Sequence, residues 1–380
     1  MKKRILIDAT TVIEKQDGLS QYIVIFLELI PDEAFEVFEF SVLIHPDLKR
    51  ADILKILGSG KFNVIKTRIK PIGPKRDWAM FWFLRKYKKQ FDLIHSPSNQ
   101  YPLSLKGGVA HVHDITFVKY LDGKWWTFNL ASRYLDRVIK HAVYNAQSVI
   151  TVSQATKNAL IEHYQLDEAR QNKINVINQG WEHLIEGDTA VKKEYTNRGK
   201  YLFYVGTTRV HKNMKNLLKA FLLVKDKVDG NINLVITGNE TYLDRENKAL
   251  VDEINKNAKR VEFTGFVSEE ELAYLFRHCT AFVFPSFSEG FGLPVLESFY
   301  FERPLICSNV TSLPEIAGEA ALYFDPGDPK DIAKAIVSIC SDTNLAENLV
   351  QKGKERLKLF SWHFTVAQTL TLYKKVLGID

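Results

Sequence analysis

Cysteine and methionine are scarce in this chain, three of each in 380 residues. Cys279, Cys307 and Cys340 are odd in number and show no C-x-x-C spacing, which argues against a disulfide framework and against a zinc site. They are expected as small core residues. Long apolar runs are missing as well: "YIVIFLELI" is short and carries Glu28, whereas a membrane span needs roughly 20 apolar residues. The start "MKKRILIDAT" meets Asp8 too early for a secretory signal, so a cytosolic location is expected. "GSGK" at Gly58 to Lys61 lacks the remaining spacing of a P-loop, and there is no kinase signature set, no G-x-S-x-G elbow and no H-E-x-x-H. Nor is there an Asp-x-Asp pair to hold a divalent ion on a diphosphate. Phosphate charge then has to be met by Arg, Lys and backbone amides, with neither metal nor cofactor.

Acids are nearly absent from one stretch. Residues 61–90 hold ten Lys or Arg and one acid, Asp77, a local charge of +9 against +6 for the whole chain. Two readings of this segment, with its "WAMFWFL", stay open. It rests on anionic lipid headgroups with aromatics in the interface, or it is a solvated basic helix whose aromatic face is core. Nucleic acid is not an expected partner, because the basicity is local and no helix-turn-helix, RNA-binding or zinc-finger signature accompanies it.

What is present is an ordinary globular composition, 46% hydrophobic and 25% charged, over a length that favours two domains. Short β-rich runs recur, each followed by a turn and a helical pattern: "RILIDA", "SVLIH", "FNVIKT", "FDLIHS", "GVAHVHD" and "SVITVS". Such alternation predicts a doubly wound parallel sheet. After "KINVINQG" comes the polar stretch "EGDTAVKKEYTNRGK", and then the alternation restarts at "YLFYVGT". The expected organisation is α/β, with Rossmann-like domains over 1–185 and 201–360, a linker over 186–200, and a C-terminal helix over 361–380 that packs back on the first domain. Two such domains facing a cleft direct the carboxyl ends of two sets of strands toward one ligand.

Four constellations carry chemistry. In "SEGFGLPVLE" a strand runs into a turn, and Pro294 suits the first turn of the next helix. That helix N-terminus offers amides and positive potential to phosphate, and Gly290 and Gly292 let backbone approach a ligand. Glu289 and Glu297 flank the turn, and paired acceptor oxygens suit vicinal hydroxyls; ordinary loop and helix acids are the competing reading. In "YVGTTRVHKNMKNLL", Arg209, His211 and Lys212 stand at a helix start, where cations oppose the dipole unless an anion is shared. In "GVAHVHD", His113 ends a strand, where it can bond a sugar hydroxyl or relay a proton, or be a structural histidine. "DATTVIEKQDGLSQY" places Gly18 before a helical pattern without a G-x-G-x-x-G fingerprint, so nicotinamide binding lacks support.

These residues resemble the retaining glycosyltransferases of family 4, which have the GT-B fold. "SEGFGLPVLESFYFERPLICSNVTSLPEIAGEAALYFDPGDPKDIAKAI" is similar to the family's E-x7-E region through its Asp-Pro turn, "YVGTTRVHKN" to the preceding strand and clamp, "VHDITF" to the His-Asp strand end, and "ITVSQATKNALIEHY" to the end of the first domain. The resemblance implies that Glu289 binds donor-sugar hydroxyls near the anomeric centre and Glu297 the ribose hydroxyls. It implies that amides of Phe291, Gly292 and Leu293 contact sugar and phosphate, that Lys212 with Arg209 neutralises the diphosphate, that Gly18 approaches it, and that His113 binds an outer hydroxyl. The chain departs from the family at Thr207 and His211, where many relatives carry Arg, and at "NQGWEH", where Trp181 and His183 line the cleft or pack the hinge. The implied activity is metal-independent, retaining transfer of a hexose from GDP-mannose or a UDP-hexose to a glycan or lipid-linked acceptor of cell-surface polysaccharide, such as lipopolysaccharide. An epimerase or hydrolase on the same fold, and a silent scaffold, are the alternatives. The basic segment fits a peripheral position at the inner face of the membrane.

Overall fold

The computed structural model describes residues 1–14, 18–116, 120, 125–182, 184, 199–228 and 232–379. Contacts divide the chain into two compact units, Met1–Gly180 with Ser361–Asp380, and Trp181–Phe360. The stretch expected as a linker lies almost wholly outside the described residues, and so does His183.

In the first unit, β1 (Lys3–Asp8), β2 (Phe38–Ile44), β3 (Asn63–Lys66), β4 (Leu93–Ser96), β5 (Val109–Val112), β6 (Ser148–Thr151) and β7 (Ile174–Val176) form a sheet of order β3-β2-β1-β4-β5-β6-β7. Neighbouring strands are parallel. A parallel sheet is buried on both faces, and β1 shows why its sequence reads as an unbroken apolar run. Ile5 and Ile7 enter one core with helices Gly18–Glu28, Ala51–Leu57 and Trp362–Leu377, while Leu6 enters the other with Pro74–Tyr87, Trp125–Asn145 and Gln154–Tyr164. The C-terminal helix is fixed to this unit by Trp362, edge-on to Tyr22 at 5.4 Å between ring centroids, and by Thr365 Oγ1, which donates to the Asn178 carbonyl at 2.6 Å. The Tyr373 hydroxyl meets His95 Nδ1 within the same core.

Helix Pro74–Tyr87 divides the basic segment in a way its composition conceals. Arg76, Met80, Phe83 and Leu84 are buried, and Arg76 forms an ion pair with Asp8 at the end of β1. Asp77 accepts from the Leu103 N–H at 3.1 Å and the Tyr134 hydroxyl at 2.7 Å. Arg76 is therefore not a surface charge. The aromatics are not all core either: Trp78, Phe81 and Trp82 are 69%, 41% and 51% exposed.

In the second unit, β8 (Tyr201–Tyr204), β9 (Asn233–Ile236), β10 (Val261–Phe263), β11 (Ala281–Phe284), β12 (Leu305–Ser308) and β13 (Ala321–Phe324) form a parallel sheet of order β10-β9-β8-β11-β12-β13. The alternation read from the sequence stops at β11; β12 and β13 are four-residue apolar runs that periodicity cannot separate from buried helix. Helix ends follow local chemistry. Ser268 and Glu271 make a capping box for Glu269–His278, and Asp328 caps Pro329–Ser341. Each sheet reverses its winding once, between β1 and β4 and between β8 and β11, and ligands of doubly wound sheets bind beyond the strand carboxyl ends at such a reversal. Among the described residues no helix is long and apolar enough to cross a membrane.

Candidate active site

In the second unit the reversal lies between the segments that follow β8 and β11, and those segments carry the sequence-predicted cations and acids. After β8 the chain passes Gly206, where a Cβ would stand 2.7 Å from the Tyr204 hydroxyl. It then enters a single 3-10 turn, Val210–Lys212. Lys212 thus ends a turn that is separated from helix Met214–Val224 by Asn213 alone, in keeping with the helix start expected from the sequence. Asn213 makes the junction at φ +57, a left-handed conformation that asparagine tolerates. Its buried Nδ2 donates to the carbonyls of Pro285 at 2.9 Å and Pro326 at 2.8 Å. The Phe287 N–H donates to the His211 carbonyl at 2.7 Å. The turn is thereby tied to the end of β11 and to the Asp-Pro-Gly-Asp loop, which fixes where the Lys212 side chain begins.

Lys212 Nζ donates to Glu289 Oε1 at 2.6 Å, with the two side chains 18% and 13% exposed. It also lies 5.4 Å from the ring centroid of Phe284, a cation–π contact. Arg209, by contrast, is exposed at the start of the turn, three residues before Lys212.

Glu289 lies in the loop that leads to helix Leu293–Tyr300, whose first turn contains Pro294. Gly292 takes φ +98, and a Cβ there would meet Leu313 at 2.8 Å, so conformation and space both require glycine. Phe291 is buried, and its ring meets Phe360 edge-on at 5.9 Å. Leu293 opens the helix, where N–H groups have no intrahelical acceptor and the dipole favours an anion. One turn on, Glu297 Oε2 is buried without a hydrogen-bond partner. Burial pushes the Glu297 carboxyl up to about 7, and the Lys212 charge pulls it part of the way back. A buried acceptor with nothing to accept is costly unless a ligand completes it.

Two residues absent from the sequence reading shape this loop. The Glu289 N–H donates to Thr311 Oγ1 at 3.1 Å, and Ser312 Oγ donates to the carbonyls of Glu289 at 3.0 Å and Phe291 at 2.9 Å. Thr311 holds φ +55, a region a β-branched residue occupies only at a cost of about 1–3 kcal/mol. "SNVTS" gives no sign of that conformation, although Ser and Thr before a helix are ordinary cap candidates.

The remaining predicted residues lie in the first unit. His113 follows β5. Its N–H donates to Asn99 Oδ1 at 2.7 Å, and its Nε2 is 3.1 Å from the Pro97 carbonyl, which leaves Nδ1 as the acceptor. Its ring stacks on His111 at 4.1 Å. Burial lowers the His113 pKa, against the Pro97 carbonyl and Asp114, and so keeps the ring neutral. Gly18 opens helix Gly18–Glu28 at the surface, with no atom within 4 Å of a built Cβ. Trp181 packs on Tyr300 in the second unit, 5.1 Å between centroids.

Comparison with known proteins adds the family. The chain matches the description "Glycosyl transferases group 1" over residues 188–356 and "Glycosyltransferase Family 4" over 39–182. It is 30% identical over 298 residues to the O-antigen chain mannosyltransferase B of Escherichia coli, covering 77% of this chain and 76% of that protein. The chain is a family 4 glycosyltransferase. Solved structures agree on the GT-B fold of this glycosyltransferase. Sucrose-phosphate synthase from Thermosynechococcus elongatus superposes with a TM-score of 0.75 at 20% identity, covering 99% of this chain and all of that one. WaaG, a glycosyltransferase involved in lipopolysaccharide biosynthesis, gives 0.71 at 12% identity, covering 97% and 99%.

Proposed function

We propose that this glycosyltransferase moves a mannosyl group from a nucleoside-diphosphate mannose to a growing cell-surface glycan, with retention at the anomeric carbon. Similarity to an O-antigen chain mannosyltransferase supports the sugar and the product class. The observation that carries the chemistry is the Lys212–Glu289 pair beside the unpartnered Oε2 of Glu297 at the sheet reversal. Glu297 accepts from the ribose diol. Glu289 accepts from sugar hydroxyls and hands part of its lysine to the diphosphate. Lys212, the exposed Arg209 and the amides of Phe291, Gly292 and Leu293 meet the developing charge, which is electrostatic stabilisation of a leaving group by fixed donors. With cations and amides in that role, we propose that no divalent ion takes part. The bond from C1 to the departing diphosphate breaks as the acceptor oxygen bonds to C1 on the same face, and the acceptor proton passes to a phosphate oxygen of the leaving group. His113, neutral and with Nδ1 open to a donor, receives an outer sugar hydroxyl, and Gly18 leaves room for the diphosphate.

The acceptor reading extends to the membrane. On helix Pro74–Tyr87 the exposed Lys75, Trp78, Phe81, Trp82, Arg85 and Lys86 share one face at helical spacing, opposite buried Arg76, Met80, Phe83 and Leu84. We assign this face to the anionic cytoplasmic leaflet, because aromatic residues with flanking cations suit its headgroup region. The deciding experiment incubates GDP-mannose or a UDP-hexose with lipid-linked acceptor in chelator. A glycosylated acceptor with retained configuration supports the reading; isomerised donor or free sugar alone would select the epimerase or hydrolase.

A further inference from the structure

We propose that Thr311 is a positioning residue that aims the Glu289 carboxylate through a strained backbone conformation. The proposal rests on the donor-sugar role given to Glu289. Three consecutive residues after β12 grip the turn after β11: Thr311 Oγ1 takes the Glu289 N–H, Ser312 Oγ bridges the Glu289 and Phe291 carbonyls, and Leu313 packs where a side chain at Gly292 would stand. Ser312 and Leu313 are fully buried, so they explain themselves as packing. Thr311 does not. It is exposed, β-branched and at φ +55, where glycine or asparagine would sit with less strain. Its hydroxyl reaches the backbone of the one residue in the loop whose carboxylate holds Lys212. A threonine kept where its own backbone is strained, and spent on that single bond, serves the geometry of Glu289 more than the stability of the fold.

The test separates geometry from stability in the full-length enzyme. Thr311→Gly relieves the strain and removes the hydroxyl. It is expected to hold or raise Tm to within about 2 °C of wild type, while kcat falls about tenfold from the displaced carboxylate. Thr311→Ser restores the hydroxyl and is expected to keep kcat within about twofold of wild type, since it regains the Glu289 bond. Affinity for the nucleoside diphosphate alone is expected to stay level in both, because Glu297 and the helix N-terminus are untouched. Wild-type kcat in Thr311→Gly, failure of Thr311→Ser to rescue, or loss of kcat only in step with loss of folded protein would each overturn the proposal. Glu289→Gln serves as the control for the underlying reading. If it is inactive while Thr311→Gly is fully active, only the positioning role falls. Should Glu289→Gln itself transfer at the wild-type rate, the role of Glu289 falls and takes the inference with it.

Discussion

The two units repeat one topology and use charge at its reversal in opposite ways. At the end of β1 the charges face inward: Asp8 and Arg76 are each 1% exposed and paired, and Thr10 also donates to Asp8. At the corresponding place beyond β8 and β11, Lys212 and Glu289 are paired but reachable, and Glu297 keeps an unanswered buried oxygen. In the first arrangement the two charges answer each other, although Arg76 Nε has no partner; in the second the unanswered atom is an acid's oxygen, the kind a ligand hydroxyl can satisfy. Fold alone cannot tell them apart, because the difference lies in which polar atoms already have partners.

The largest effect that sharpens this contrast is on stability. Arg76→Ala is expected to cost about 3–5 kcal/mol by leaving Asp8 buried and unpaired, read as a fall in urea midpoint. Lys212→Ala breaks a pair that is 18% and 13% exposed and is expected to cost about 1–2 kcal/mol of stability, less than Arg76→Ala, while raising the activation barrier for transfer by about 2–4 kcal/mol through loss of a fixed cation at the leaving group. Equal stability losses for the two variants would erase the contrast. Within the first unit, replacing Arg85 and Lys86 by Gln is expected to weaken binding to vesicles of anionic lipid by about 1 kcal/mol per charge and to leave transfer to a soluble acceptor unchanged. Unaltered sedimentation with those vesicles would return the segment to a solvated helix.

The smallest effect is on pH. Burial raises the Glu297 carboxyl to about 7 in the folded protein, above its unfolded value. The native state therefore binds the extra proton between the unfolded value and about 7, and the stability this contributes is present at lower pH and lost as pH rises through about 7. The ionised carboxylate is the stronger acceptor for the two hydroxyls of a ribose diol. Nucleotide affinity is therefore expected to fall as pH drops below about 7, by at most about tenfold per pH unit, and Glu297→Gln to bind weakly with a flat profile. A steep profile in that variant would assign the titration to another group.

Much of this was legible in advance, and the parts that were not share a cause. The alternation of strands and helices and the two acids around "GFGLP" are patterns of residue type, and such patterns report which face is buried and which groups are offered. Partnership is a matter of tertiary distance. Arg76 counts as one of ten cations in residues 61–90 until the fold brings it to Asp8, 68 residues away. Nothing in the sequence marks Asn213, whose amide reaches two loops at once, and Thr311 reads as a cap candidate until its φ is known. The sequence puts Lys212 at a helix start, and it lies there; the separate turn that carries it, tied by the bond from Phe287 to His211, leaves no mark in the residue pattern. β12 and β13 were too short to show a period.

Calorimetric titration of the enzyme with GDP, UDP and ADP in chelator tests the central claim most directly. The account predicts that one of them binds in a single site and that Glu297→Gln weakens it sharply. No measurable heat with any of the three, together with an unchanged Tm, would contradict it.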